Sequence, residues 1–152
     1  MATGATRGFI YLRYEYPQTL DILERALEEA KEQLEGFDFC VRRGAGAYIC
    51  GEESAMLESI EGKRALPRHR PPYVAERGLF GCPTLVNNVE TLHWVRDIVE
   101  RGSEWFAGHG RNGAKGLRSY SVSGRVKTPG VKLAPAGITA RQLITERAAP
   151  PI

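Results

Sequence analysis

The sequence predicts a layered α/β fold in which a helix connects two parallel strands. Residues 8–14 (GFIYLRY) are rich in β-branched and aromatic side chains, as in a buried strand. Residues 37–43 (FDFCVRR) alternate apolar and polar side chains, which indicates a second strand. Between them, apolar residues recur at the spacing of an amphipathic helix, and Gly36 ends it: Leu20, Leu23, Leu27, Ala30 and Leu34. Such a β-α-β unit favours parallel pairing and an α/β architecture.

A glycine-rich loop and a short helix follow the second strand. Residues 44–52 form the loop, and residues 53–60 form a helix that Gly62 ends. We expect Ala55, Met56 and Ile60 to face inward. Open α/β sheets bind ligands at the carboxyl ends of their strands, which is where this loop lies. Four prolines in residues 63–83 then predict an irregular but ordered loop.

The second half of the chain begins with another amphipathic helix. Its apolar residues start at Val89, Gly102 closes it, and Asn87 or Asn88 is the expected N-cap. The glycine-rich connector 108–116 marks a domain boundary. We therefore predict one domain over residues 1–113 and a second over residues 114–152.

The second domain is predicted to open with a β-hairpin. Residues 119–124 and 131–135 flank a Pro129-Gly130 pair that suits a type II turn. A helix capped by Thr139 and ending near Arg147 follows. A hairpin and one helix cannot form an independent core, so the second domain is predicted to be truncated.

Composition excludes several functional classes. The chain has 21 basic and 18 acidic residues, and this near balance offers little support for a nucleic acid or an anionic membrane as partner. No apolar stretch resembles a signal peptide or approaches the length of a membrane span. The three cysteines are widely spaced, which predicts reduced thiols in a cytoplasmic protein and no metal site: Cys40, Cys50 and Cys82.

The loop sequence GAGAYICGEE (44–53) is the first candidate site. Its glycine spacing matches neither the dinucleotide-binding fingerprint nor a P-loop, so a tight strand-to-helix connection is the simpler interpretation. A ligand site is favoured by Tyr48, which can stack, and by Gly51, which permits close backbone approach. Glu52 and Glu53 stand at a helix N-terminus, where the dipole favours their charged forms. Simple helix-start electrostatics is the alternative explanation for both acids.

Asn87, Asn88 and Thr91 form the second candidate site. Two amides before a helix can serve as its cap, which is the simpler interpretation. The same exposed N–H groups and side chains can also seat a phosphate or a polyol. The two interpretations are compatible.

The basic loop RHRPPY (68–73) is the third candidate site. Exposed basic loops are usually just solvated. Held rigid by two prolines, however, Arg70 could pair with a phosphate in fork geometry, and Tyr73 could stack on a flat heterocycle. Spacing alone does not decide between a solvated basic loop and a ligand-binding loop.

Four segments together carry a resemblance to a known family. They are GAGAYICGEESAMLESIEGK (44–63), PRHRPPY (67–73), GLFGCPTLVNNVETL (78–92) and SVSGRVKTPGV (121–131). The chain from about residue 9 to residue 146 resembles the flavoprotein subunit of respiratory NADH dehydrogenase (complex I). It is similar also to the diaphorase subunits of NAD-dependent formate dehydrogenases and NAD-reducing hydrogenases. The resemblance implies the C-terminal half of a layered α/β FMN- and NADH-binding domain, followed by the beginning of a β-grasp domain.

The resemblance also implies the roles of the candidate residues. FMN would contact Tyr48, Gly51, Glu52, Asn87, Asn88 and Thr91. NAD would contact Glu53, Arg70 and Tyr73, where family members often have Lys in place of Arg70 and Phe in place of Tyr73. The implied reaction passes a hydride between nicotinamide and FMN and then single electrons to iron–sulfur clusters. The resemblance implies that no side chain needs to be a catalytic acid, base or nucleophile, because the cofactor carries the chemistry.

Several family motifs are missing from the sequence. Members carry a G-R-G-G-A-G-F-type segment and an N-A-D-E-type loop upstream, and a four-cysteine motif for a 4Fe-4S cluster downstream. We therefore expect an internal fragment that alone binds FMN weakly or not at all. Its sheet should expose apolar area and favour self-association. The partners implied are other subunits of a redox complex, including an iron–sulfur subunit, in the cytoplasm or in the peripheral arm of a membrane complex.

Two alternatives remain beside the NADH dehydrogenase interpretation. A formate dehydrogenase or hydrogenase diaphorase subunit shares the motifs. The sequences PRHRPPY (67–73) and HWVRDIVERG (93–102) mildly favour formate dehydrogenase. A scaffold that docks subunits without using a cofactor belongs to another class. The flavin interpretation requires the turn beginning at Gly44 and the amides of Asn87 and Asn88 to converge on one flavin site.

Overall fold

The structure is a computed structural model, and it describes residues 3–148. The chain divides into two compact units, Met1–Val86 and Asn87–Ile152. The outermost residues of the two predicted domains lie outside the described part. The predicted boundary between residues 113 and 114 stays a prediction.

The first unit opens with the predicted β-α-β unit. Strand β1 (Arg7–Leu12) pairs in parallel with β2 (Asp38–Arg43), with Arg7 opposite Asp38 and Leu12 opposite Arg43. The connecting helix α1 (Pro17–Glu29) ends earlier than its apolar stripe predicts, and a 3-10 turn (Lys31–Leu34) continues to Leu34. The two strands, their parallel pairing and the mixed α/β class are confirmed.

Helix α2 (Glu53–Ile60) has the predicted bounds and holds the core of the first unit. Ala55 and Ile60 are buried as predicted, but Met56 is only half-buried and Leu57 takes the central position at 2% exposure. Leu57 and Ile60 pack with Leu79, which lies in a 3-10 turn (Leu79–Gly81) within the predicted irregular loop. The loop therefore covers a face of α2 that periodicity alone did not assign to the core.

The described part of the second unit holds three α-helices and a hairpin. Helix α3 (Val89–Arg101) is followed by α4 (Ser103–Ala107), which the sequence analysis missed. Strands β3 (Leu117–Val122) and β4 (Gly130–Pro135) form the predicted antiparallel hairpin. Thr139 caps α5 (Ala140–Leu143) through a capping box with Gln142, and the chain continues in a π-helical turn (Ile144–Ala148).

The predicted type II turn at Pro129-Gly130 is wrong. Gly130 is the first residue of β4, opposite Val122, with a φ of 128° rather than the value of about 80° that the turn requires. The strands are joined instead by the longer connection 123–129. Its Thr128 N–H donates to Ala148 O at 3.1 Å, so the connection is attached to the end of the last helix.

The predicted apolar stripe of α3 is largely exposed. The half-buried side carries Trp94, whose ring centroid lies 5.4 Å from that of Phe106 in α4. The exposed apolar side chains on α3 are Val89, Leu92, Val95 and Val99. Self-association through exposed apolar area of the sheet stays a prediction. Within residues 3–148, no helix is both long enough and apolar enough to cross a membrane.

Candidate functional site

Glu52 is the N-cap of α2. The loop 44–52 contains a 3-10 turn (Tyr48–Gly51), after which the Glu52 carboxylate accepts hydrogen bonds from Ala55 N–H at 2.9 Å and Ser54 Oγ at 2.6 Å. Burial raises the pKa of Glu52, but these hydrogen bonds and the charge of Arg70 outweigh it, so the pKa lies below its ordinary value. The Glu52 side chain is therefore ionised and fixed at the beginning of the helix.

Arg70 joins both acids of the loop. Its Nη2 donates to Glu52 Oε1 at 2.8 Å and to Glu53 Oε1 at 2.6 Å. The three side chains remain 33–40% exposed, so a ligand in solvent can reach them. The fold thus brings together three candidate residues from two separate segments. Arg70 is an ion-pair partner of the two acids here, which the sequence analysis did not predict.

The surroundings of Glu52 suit a flat ligand. Tyr48 is 88% exposed and Tyr73 is 55% exposed, so both rings are available for stacking. A Cβ atom built on Gly51 would meet nothing within 4 Å, and the φ of Gly51 lies outside the left-handed region. The described chain therefore gives no internal reason for glycine at position 51, and the open space leaves room for a ligand against the backbone. The residues of the first unit fit an FMN site in this respect.

The first two glycines of the loop, Gly44 and Gly46, are required by packing. A Cβ atom on Gly44 would lie 2.5 Å from the Tyr11 hydroxyl oxygen, and one on Gly46 would collide with the ring of Tyr14. These two glycines make room for tyrosines that belong to β1 or follow it. The interpretation of the loop as a tight connection therefore explains the glycines at positions 44 and 46. It does not explain Gly51, which faces open space.

The second candidate site lies in the second unit, where Asn88 caps helix α3. Asn88 Oδ1 accepts a hydrogen bond from Glu90 N–H at 2.7 Å, while Asn87 and Thr91 are exposed. Glu90 Oε1 in turn accepts from Ser119 N–H at 2.7 Å, which connects the first turn of α3 to β3. This hydrogen bond lowers the pKa of Glu90. The predicted convergence of these amides with the loop at Gly44 stays a prediction.

Arg68 belongs to a structural network that the sequence analysis missed. Its guanidinium donates to Glu58 at 2.5 Å, to Glu61 at 3.0 Å and to Gly78 O at 3.0 Å. Glu61 also accepts from Phe80 N–H at 2.7 Å, and its side chain is only 7% exposed. Burial raises the pKa of Glu61, but these donors and Lys63 bring it below its ordinary value. A solvated basic loop is therefore the wrong description of Arg68, which holds the loop against α2.

The cysteines have unlike environments. Cys50 is buried, Cys40 is half-buried and Cys82 is exposed, and all three are free thiols. No group of three or more histidine, cysteine or acidic side chains in the described residues could hold a metal ion.

Comparison with known proteins places the chain in a family. The family model described as the Nuo51 FMN-binding domain matches residues 1–97. A subunit of the NADH-quinone oxidoreductase of Rhizobium meliloti (strain 1021) is 48% identical over 99% of the chain. The NADP-reducing hydrogenase subunit HndC of Solidesulfovibrio fructosivorans is 40% identical over 94% of the chain.

A solved structure agrees with these matches. The crystal structure of an NAD+-reducing [NiFe]-hydrogenase in its air-oxidised state superposes on 99% of the chain with a TM-score of 0.89 and 44% identity. The chain belongs to the family of the Nuo51 FMN-binding domain. It spans 38% of the length of the Rhizobium relative, 31% of the Solidesulfovibrio relative and 26% of the hydrogenase chain.

Proposed function

We propose that this chain contributes part of an FMN- and NAD-binding site to an NADH-oxidising or NAD-reducing flavoprotein subunit. The arrangement of Arg70, Glu52 and Glu53 at the beginning of α2 carries the proposal, because it presents fixed charge beside the open backbone of Gly51. Membership of an FMN-binding family supports the choice of ligand. Bound FMN would supply the exchange of a hydride with nicotinamide and of single electrons with iron–sulfur clusters.

The residues of the first unit would act by orientation. The exposed ring of Tyr48 and the uncovered backbone of Gly51 would border the flavin, and the ionised Glu52 would fix the charge at its edge. Glu53, Arg70 and Tyr73 would contact the nicotinamide nucleotide. Because Arg70 pairs with both acids and offsets one of their two negative charges, an anionic ligand would not meet two bare carboxylates.

The residues of the second unit would hold the ribityl phosphate. Asn88 uses Oδ1 as the cap of α3, which leaves its amide N–H groups to donate to an anion. Asn87 and Thr91 would add donors at the same helix N-terminus, where the dipole favours a negative charge. In this proposal the flavin domain ends near residue 113, and residues 114–152 begin a β-grasp domain.

The electron partner is proposed from the relatives. Two of them are named as subunits, one of an NADH-quinone oxidoreductase and one of a hydrogenase. We accordingly propose a multi-subunit redox complex with an iron–sulfur subunit, located in the cytoplasm or at the peripheral arm of a membrane complex. The hydrogenase relatives favour a diaphorase subunit as the second candidate. The formate dehydrogenase alternative stays a prediction, and so does the alternative of a docking scaffold that uses no cofactor.

The binding proposal is tested by NMR titration of the chain with FMN, which detects weak complexes. We expect shifts of the backbone amides at residues 48–53 and 87–91, and weaker binding in a Gly51→Ala variant. Tyr14→Phe is the control variant and should leave FMN binding unchanged, because Tyr14 lies against Gly46 and not against Gly51. Shifts scattered evenly over the chain, or none at millimolar FMN, would contradict the proposal. Tight stoichiometric FMN would support the site and refute the predicted weak binding.

A further inference from the structure

Tyr11 occupies a central position in the first unit. It lies in β1 opposite Arg42, is half-buried, and packs against the cluster formed by Leu57, Ile60 and Leu79. Its side chain thus extends from the sheet to helix α2. The family resemblance assigns no function to this residue, and it is outside the candidate ligand contacts.

The ring of Tyr11 determines the path of the chain where β2 ends. A Cβ atom at Gly44 would lie 2.5 Å from the Tyr11 hydroxyl oxygen and 2.9 Å from Cζ. Gly44 is buried beneath this ring, and its N–H donates to Leu12 O at 2.8 Å. The first residue of the loop is therefore held between the backbone of β1 and the side chain of Tyr11.

The hydroxyl of Tyr11 connects strand β1 to helix α2. It shares a hydrogen bond of 2.9 Å with Ser59 Oγ in α2. It also lies beside the Cys50 thiol, in the 3-10 turn just before Glu52. Burial and the contact with Cys50 raise the pKa of Tyr11, against the opposite effect of Ser59. The phenol is thus a neutral group at neutral pH that is hydrogen-bonded to the helix.

We infer that Tyr11 is a positioning residue that sets the distance between the loop 44–51 and helix α2, and so orients Glu52 and Glu53. The hydroxyl of Tyr11 is hydrogen-bonded to Ser59 in α2, and the ring above Gly44 limits how far the loop can move toward the sheet. The inference that this serves cofactor binding rests on the proposed function. The positioning itself can be measured without any cofactor.

The test compares Tyr11→Phe with Tyr14→Phe. Both remove one hydroxyl from a tyrosine that lies over a loop glycine, but Tyr14 is 50% exposed, and no side-chain hydrogen bond of its hydroxyl is found among the described residues. The first readout is the rate at which Cys50 reacts with a thiol reagent, in a background that carries Cys40→Ser and Cys82→Ser. The second is the pKa of the Glu52 carboxyl by ¹³C NMR, which a merely stabilising residue would not move in the folded protein.

We expect Tyr11→Phe to raise the labelling rate of Cys50 about tenfold, because the turn opens more often. We also expect it to move the pKa of Glu52 up toward its ordinary value, while Tyr14→Phe changes neither. Ser59→Ala removes the same hydrogen bond from the other side, and it gives a second measurement if Tyr11→Phe fails to fold. An unchanged Glu52 pKa in a folded Tyr11→Phe or Ser59→Ala variant would overturn the inference. Neither readout depends on FMN. A failure of the positioning role can therefore be told apart from a failure of the proposed FMN binding.

Discussion

Arg70 Nη2 lies 2.6 Å from Glu53 Oε1, although the two residues are 17 positions apart in the sequence. The same nitrogen also reaches Glu52, so one guanidinium pairs with two adjacent carboxylates at the N-terminus of a helix and offsets one of their two negative charges. Adjacent acids would otherwise repel each other. The pairing explains how the helix begins with two charged acids that remain partly exposed to solvent.

Replacing Arg70 should raise the pKa of Glu52. In Arg70→Gln the carboxylate loses a favourable charge but keeps its hydrogen bonds to Ser54 and Ala55, so part of the lowering should persist. The loss of stability should stay below about 1 kcal/mol because the pair is partly exposed. A ¹³C NMR titration measures the pKa. Arg42→Gln, at an exposed residue of β2 with no ion pair found among the described residues, should leave it unchanged.

Gly44→Ala and Gly51→Ala should separate a packing glycine from a ligand-facing one. Alanine at position 44 meets the Tyr11 side chain and should lower the free energy of unfolding by about 1–3 kcal/mol. Alanine at position 51 enters open space and should change it by less than about 0.5 kcal/mol. Urea denaturation measures both. Equal losses at the two positions would show that Gly51 is also required by the fold.

Glu61→Gln should destabilise the first unit. The carboxylate accepts from Arg68, Lys63 and Phe80 N–H, and its side chain is nearly buried, so a neutral amide leaves charged donors poorly satisfied. We expect a loss of about 2–3 kcal/mol in the free energy of unfolding. Glu28→Gln removes an exposed pair with Lys31 and should cost less than about 0.5 kcal/mol. A loss for Glu61→Gln no larger than this control would contradict the network.

Asn88→Ala should weaken the start of α3. It removes the side-chain acceptor of Glu90 N–H, which should cost about 1 kcal/mol in thermal or urea denaturation. Asn88→Asp restores an acceptor and adds a negative charge favoured by the helix dipole, so it should recover this stability. Asn87→Ala removes no cap and serves as the matched control. Equal effects of the two alanine variants would show that capping is shared between the asparagines.

Stability should fall in acid. The pKa values of Glu52 and Glu61 in the folded chain lie below the ordinary value of 4.5, so the unfolded chain binds more protons as the pH falls past that value. Their stabilising contribution is complete above pH 4.5 and is lost as the pH falls through the lower folded-state values. Urea denaturation at several pH values measures this. Glu61→Gln should flatten the acid limb, and an unchanged slope would contradict the assignment.

Local signals predicted most of the secondary structure. The span of α2, an asparagine cap of α3 at position 87 or 88 and the Thr139 cap of α5 follow from residues within a few positions of one another, and the structure assigns the α3 cap to Asn88. The parallel pairing of β1 and β2 follows from the β-α-β order. The predicted turn at Gly130 is wrong: Gly130 pairs with Val122 in the hairpin, and the connection before it has a hydrogen bond from Thr128 to the distant Ala148, which local sequence preference does not include.

The sequence by itself determined most of the helices and strands, the Thr139 cap and the family, because periodicity, capping and motifs are recorded in residues that lie close together along the chain. Only the tertiary structure decided that Tyr11 reaches Ser59 across 48 positions, that Arg70 joins Glu52 and Glu53, and that Leu57 rather than Met56 is central to the core. These contacts depend on where the loop 63–83 and strand β1 lie against α2. That placement results from the summed packing of many side chains, and no local spacing encodes it.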